Sequence, residues 1–416
     1  MLRPSFLFLL FCLVPLHVSA DTAQGLFASY ADRLYQIKVI EKLSSRKSAI
    51  GSGFVVRANG LVVTNYHVIS KFIHDPDKYY LQAISVDNKA ESVTVEDIDV
   101  INDLALIKFA AKDSPFLHVS NKRLRKGDPI FSMGNPLDLG TAVVPGTYNG
   151  FTKQSYYQRI HFTGSINPGM SGGPVLDSQG RVVGVNVATA GNQIGFLVVA
   201  DKLRKLLAEY DARGGKVIDY QQRIHEQLLT NQRQLMSTVL AADWKTIALG
   251  DAKVLSEIVP FIPCWGDKGR SQKDKEKYIT VSISCQPKET IFIKPRFRTG
   301  MIEVQYKWAQ NISLSAMQFS SVLEKLYGGA GPGNHATEKD VTEFACHEGF
   351  VDQPDERAVL CSRAYKKYKG LYDVVYISAT VGHENKGLIS HFTLSGIEQD
   401  LAMRFVKRFM EASQWN

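Results

Sequence analysis

Cysteine is scarce: the chain of 416 residues has five, and none falls between Cys12 and Cys264. The long middle therefore cannot be a disulfide-framed fold. After residue 20 no apolar stretch is long enough to span a bilayer, which excludes a membrane-spanning helix there. A strong excess of one charge is also missing. Lys and Arg number 49 against 41 Asp and Glu, a net charge of +8. From residue 201 onward there are 30 basic and 26 acidic residues, so neither half holds the excess. No nucleic-acid-binding motif is present. The basic clusters at 268–277, 294–298 and 363–369 read as solvated faces. Low complexity and internal repeats are absent, and 44% hydrophobic with 22% charged residues is the composition of a globular protein of two domains.

What is present begins with a secretory signal. Arg3, the apolar run "FLFLLFCLV" and the small-residue end "HVSA" predict export and cleavage after Ala20, to a periplasmic or secreted mature protein without stable membrane insertion. Four cysteines then remain, at 264, 285, 346 and 361. An oxidising compartment favours two disulfides, and pairing of neighbours is one of three possible connectivities.

From Tyr35 to Phe196 short β-rich runs alternate with turns, and Asn59-Gly60 marks a hairpin. Near Ala200 the texture changes to a helix stopped by Gly214-Gly215 and a longer helix over 219–244, followed by mixed strands and helices. The expected organisation is a signal peptide (1–20), a β-rich domain (21–212), a helical connector (213–250) and an α+β domain (251–416) holding the mature cysteines.

Chemistry is concentrated in the β-rich part. "INPGMSGGPV" (166–175) places Ser171 among Gly169, Gly172 and Gly173, where a sharp turn would aim the Gly169 and Ser171 N–H groups at one point. The same letters fit the nucleophile elbow of the α/β-hydrolases. That elbow needs a helix after the serine, whereas "GGPVLDSQGRVVGVNVA" reads as strand, turn, strand. A base is therefore sought upstream, and His67 is placed at the end of an apolar strand. Asp103, ahead of "LALIKF", is the carboxylate to orient it, with Asp97 and Asp99 as competitors.

The set "GSGFVV", "TNYHVI", "NDLALIKF", "GNPLDLG", "INPGMSGGPV" and "GRVVGVNVA" resembles the trypsin-like serine proteases, most closely the HtrA/Deg branch of exported endopeptidases, over residues 35 to 212. The resemblance implies a mainly β fold: a chymotrypsin-like double barrel of two six-stranded units, followed here by the helical connector and α+β domain. It implies a serine endopeptidase acting on protein or peptide substrates, with His67 as general base, Asp103 as its orienter and Ser171 as nucleophile. The Gly169 and Ser171 amides become the oxyanion hole, and Ser165, Asn186, Val187 and Ala188 line the substrate site. No charge stands among those positions, so the expected primary preference is for small or medium apolar side chains. No cofactor is implied, and the remaining histidines lack ligand spacing for a metal.

The chain departs from that pattern in four places. Met170 stands where the branch usually carries Asn and the digestive enzymes Asp, so activation by pairing with a new amino terminus is not expected. Ordering of the loop 134–146 is the expected control point instead. Thr163 replaces a common acid, and no PDZ-like pattern follows. The N-terminal segment matches the trimer-forming aromatics poorly and reads as a helix packed on its own barrel. The oligomeric state stays open. So does the role of the C-terminal domain, which could bind a regulator or substrate, or cover the cleft. The rival to catalysis is a silent protease-fold scaffold whose C-terminal domain binds a partner.

Overall fold

A computed structural model describes residues 18–152, 154–189, 194–268, 277–350 and 356–415. The body of the expected signal peptide and nearly all of the basic cluster 268–277 lie outside these residues.

The first sheet orders seven strands as Ala90–Ser92, Tyr79–Ser85, Leu34–Glu41, Lys47–Arg57, Leu61–Thr64, Leu104–Lys108 and Thr94–Asp99. Its two edge strands are separated only by Val93, so the chain passes from one edge directly to the other and the sheet must curl round on itself. Counted as one bent strand, those edges make the first of the two expected six-strand units. The second sheet closes outright into a six-stranded barrel: Ile160–Phe162, Gly195–Val199, Val182–Thr189, Pro174–Leu176, Pro129–Gly134 and Ala142–Phe151.

The strands Leu61–Thr64 and Leu104–Lys108 are buried on both faces, which is why they read as near-continuous apolar runs. Along Leu104–Lys108 the side chains alternate. Leu104 and Leu106 meet the second barrel's Met133, Val185 and Val198 and the helix Ala200–Ala212 through Leu203 and Leu206. Ala105 and Ile107 face the opposite way, into a cluster with Tyr66, Ile69 and Ile73. That second cluster also takes in Ile224, Leu228, Ile291, Ile293, Phe297 and Tyr365, from far along the chain.

The helix Tyr220–Ala241, capped by Asp219 accepting from the Gln221 and Gln222 N–H groups, spans two cores along one stripe. Ile224 and Leu228 pack on the first unit, while Leu235, Met236 and Val239 pack on the C-terminal sheet. That sheet is seven-stranded and antiparallel, in the order Cys264–Lys268, Tyr278–Cys285, Ile302–Asn311, Lys386–Ile397, Tyr372–Thr380, Glu356–Ala364 and Ala345–Phe350. The amphipathic helix Gln399–Ala412 covers it with Leu401, Phe405 and Phe409. The segment "TIFIKP" does not join this sheet. Ile291–Lys294 pairs with Phe297–Thr299 as a separate hairpin that leaves the C-terminal core and packs on the first barrel unit.

At the N-terminal end the helix Val18–Tyr30 buries Leu26, and Tyr30 Oη donates to the Gln179 carbonyl at the Ser178–Gly180 turn of the second barrel (3.4 Å).

Candidate active site

The strand expected to carry His67 stops at Thr64. Asn65 is extended at an N-cap position, and His67 is the second residue of the helix Tyr66–His74. The spacing of Tyr66, Ile69 and Ile73, all buried, is the helical signal that the apolar strand reading overlooked.

Asp103 fixes the imidazole twice. Its Oδ1 accepts from the His67 backbone N–H (2.8 Å) and its Oδ2 accepts from Nδ1 (2.7 Å). Asp103 reaches both atoms from the left-handed region, at φ 61°, which a short polar side chain tolerates. Its own carbonyl accepts from Asn65 Nδ2 (2.7 Å), tying the loop to the helix start. The competing aspartates are spent elsewhere. Asp97 is buried between Arg213 (2.5 Å) and Arg223 (3.3 Å), and Asp99 accepts from the Asn102 N–H and side-chain amide.

Burial pushes the His67 imidazole down in proton affinity, but the Asp103 carboxylate and its hydrogen bond outweigh that and leave its pKa raised. Arg298 and Arg159 act in the opposite direction to Asp103. The ring is 30% exposed and its Asp103 partner 14%, so one edge of the imidazole remains open.

Ser171 sits on a turn that only glycines permit. Gly169 adopts φ 95°, and a Cβ there would fall 2.4 Å from the Asn135 carbonyl oxygen. Gly172 adopts φ 85°, with the Ser52 carbonyl 2.3 Å and the Asn65 N 2.9 Å from where a Cβ would be. The serine turn is thereby pressed against the residues that start the His67 helix. The Gly169 and Ser171 N–H groups make no hydrogen bond to the described residues. Ser171 Oγ donates to the Val187 carbonyl (3.3 Å), and it makes no hydrogen bond to His67.

Ser52, outside the expected site residues, holds this turn. Its N–H donates to the Ser171 carbonyl (2.7 Å), and its buried hydroxyl donates to the Gly169 carbonyl (2.7 Å) and accepts from the Asn135 N–H (2.8 Å). The only sequence sign of it was the motif "GSGF". Met170 is fully buried in the second barrel's core with Ile130, Phe162 and Val175.

Of the expected substrate positions, Val187 lines a cleft with His67 and Asp103 and falls where the strand register shifts between Asn186 and Ala188. Asn186 turns its side chain inward, accepting from Ser132 Oγ and donating to the Met133 and Met170 carbonyls, so it braces the fold and does not face the cleft. Ser165 is exposed and is not among the cleft's lining residues. Ala188 pairs with Phe196 of the adjacent strand, and Phe196 lines the cleft.

The cleft has a volume of about 820 Å³. One wall comes from an unexpected quarter: Lys288, Phe292 and Arg298 of the C-terminal half. The Phe292 ring meets the His67 ring edge-on at 6.2 Å between centroids. Tyr66 Oη donates to the Ile293 carbonyl (2.7 Å), and His74 Nε2 lies 3.0 Å from the same oxygen, which latches the hairpin to the His67 helix.

Residues 51–185 match the family described as trypsin-like peptidase domain. That segment holds His67, Asp103 and Ser171. The chain is 33% identical over 176 residues to a "Probable periplasmic serine endoprotease DegP-like" of Chlamydia muridarum, covering 39% of this chain and 33% of that protein. It is likewise 33% identical over 172 residues to "Serine protease HTRA1" of Xenopus laevis, covering 39% of this chain and 36% of that one. The chain thus spans about a third of the length of these relatives. Among solved structures, the serine endoprotease from Yersinia pestis aligns at a TM-score of 0.41 and 23% identity, over 46% of this chain and 68% of that one.

Proposed function

We propose that this protein is an exported serine endopeptidase that hydrolyses peptide bonds through an acyl-enzyme, with Ser171 as nucleophile, His67 as general base and then acid, and Asp103 as orienter. The observation that carries this reading is the double hydrogen bond from Asp103 to His67. It fixes the Nδ1–H tautomer and turns Nε2 toward the cleft that Val187 lines. Rotation of the Ser171 hydroxyl from the Val187 carbonyl toward Nε2 would set up proton transfer as the oxygen attacks. The unengaged Gly169 and Ser171 amides are suited to receive the oxyanion. Asp103 also stabilises the imidazolium formed in that step.

Export is supported by the N-terminal pattern and by the word periplasmic in the DegP-like relatives' names. We place signal cleavage near Ala20, and a primary pocket near Ser165 that takes small or medium apolar side chains. The loop 134–146 is the proposed control point, because the Leu137 N–H bonds the Pro168 carbonyl immediately before Gly169 (2.8 Å).

The bond from Ser171 to Val187 favours a second reading, a silent scaffold in which the serine is not engaged. One experiment separates the two. Fluorophosphonate should label the wild-type protein and fail to label Ser171→Ala, with the circular dichroism spectrum preserved. Equal labelling of both, or none of either, would rule out Ser171 as the nucleophile.

A further inference from the structure

We propose that Arg159 and Arg298, which both line the His67 cleft, form a subsite for an acidic side chain of the substrate, within a few residues of the bond that is cut. The inference rests on reading Ser171 and His67 as the catalytic pair, and it makes the C-terminal half part of the substrate site.

Three observations lead to it. The first is position: Arg159 extends from the second barrel, Arg298 from the hairpin Ile291–Lys294/Phe297–Thr299, and both line the same cleft as His67. Both guanidiniums are close enough to weaken the hold of His67 on its proton. The second is that neither is held in a salt bridge among the described residues. Arg159 donates to the Asn102 carbonyl (3.0 Å), and Arg298 donates to Thr290 Oγ1 (3.3 Å) and lies 5.5 Å over the Phe292 ring. Arg159 acts on the Asp99 carboxylate only through space, lowering its proton affinity.

The third is that the acids of the cleft are already committed. Asp103 gives both oxygens to His67, and Glu289 accepts the single Ser155 hydroxyl proton, its oxygens lying 2.8 and 2.7 Å from Oγ. Lys288 adds a further positive charge to the same lining. A guanidinium carries five N–H donors in a planar fork, and these bonds use only one on each arginine. A substrate carboxylate would satisfy both the geometry and the charge. This subsite is separate from the primary pocket near Ser165, which does not line the cleft.

The test uses the full chain and matched peptides that differ only by Glu or Gln, moved one position at a time through the residues flanking the scissile bond. We expect kcat/KM to favour Glu on the order of tenfold at one position, as for a charge-assisted hydrogen bond in a half-enclosed site. The Glu/Gln ratio should fall toward one in Arg298→Gln and in Arg159→Gln, persist in Arg298→Lys, and drop furthest in Arg298→Glu. Arg298 is exposed, so its variants should fold; Arg159 is half-buried, and a preserved circular dichroism spectrum and fluorophosphonate labelling check Arg159→Gln. A fluorophosphonate-reactive protein that cleaves each pair equally at every position would overturn the proposal while leaving the peptidase reading intact. So would a Glu preference that both Gln variants retain. If the serine proves unreactive, the same pairs bound to Ser171→Ala, read by fluorescence anisotropy, measure the charge preference without turnover. Equal binding would overturn it there too.

Discussion

At the scale of single residues, the imidazole of His67 carries the clearest quantitative consequence. The proposed role of His67 is that of a general base, which works only when neutral, so kcat/KM should rise with pH through the His67 pKa, which Asp103 holds above the ordinary 6.5. Asp103→Asn removes that support. The acid limb of the profile should then move to lower pH, and kcat should fall on the order of 10³- to 10⁴-fold because the tautomer is no longer fixed. An acid limb that stays in place in the variant would separate Asp103 from the catalytic base. Asp103 was chosen over Asp97 and Asp99 through the resemblance carried by "NDLALIKF". All three precede an apolar strand, and only the fold shows that Asp97 faces Arg213 and Arg223 and that Asp99 turns to Asn102.

At the scale of elements, the docking of the hairpin 291–299 on the helix Tyr66–His74 is the feature that composition and periodicity do not reveal. "TIFIKP" has the alternation of an ordinary strand, and nothing local says that it pairs only with Phe297–Thr299 and spends its apolar side chains on another unit. The latch contains a titrating group. Burial lowers the His74 pKa to about 4; the Ile293 carbonyl opposes this, Lys294 and Lys367 reinforce it, and Asp340 raises it. A histidine depressed in the folded state leaves stability intact above about pH 6.5. That stability is lost as pH falls toward 4, because the undocked form takes up the proton first. The loss is at most about 3 kcal/mol. Protection of the amides in 291–299, taken relative to the intrinsic exchange rate at each pH, should therefore fall between pH 7 and pH 5, and His74→Gln should flatten that dependence. Protection that is independent of pH in the wild type would show that the latch does not hold the hairpin. His391, buried in the strand Lys386–Ile397 and also depressed to about 4, contributes acid sensitivity of the same sign to the C-terminal sheet.

For the whole molecule, the shared core decides how the chain should unfold. Ile224, Leu228, Ile293 and Phe297 complete an apolar cluster with the first barrel unit, so removing everything after residue 213 would expose that face. Thermal unfolding of the full chain should accordingly be a single cooperative transition, and two resolved transitions would count against a common core. The disulfides strengthen the far end of the same body. Cys264 is bonded to Cys285 and Cys346 to Cys361, each between direct cross-strand partners, and each ties an outermost strand of the seven-stranded sheet to its neighbour. Reduction should cost about 2–4 kcal/mol per bridge and lower the midpoint of that single transition. An unchanged midpoint in reductant would remove the bridges from the stability of the fold.

The sequence by itself determined the features that are local in the chain: the β-rich class from its alternating runs, the glycine turn around Ser171 from residues that must adopt positive φ, and the candidate trio from motif and order. Asn65 and the Tyr66, Ile69, Ile73 spacing also carried the His67 helix, though the strand reading overlooked it. Tertiary structure alone decided how Asp97 and Asp99 are engaged, which of three disulfide pairings forms, and that Phe292 and Arg298 line a cleft with His67, more than 200 residues away along the chain. The reason is physical. Periodicity and turn chemistry report how each residue relates to its nearest neighbours. The environment of a buried charge or an exposed guanidinium is set by whatever distant segment the core brings against it.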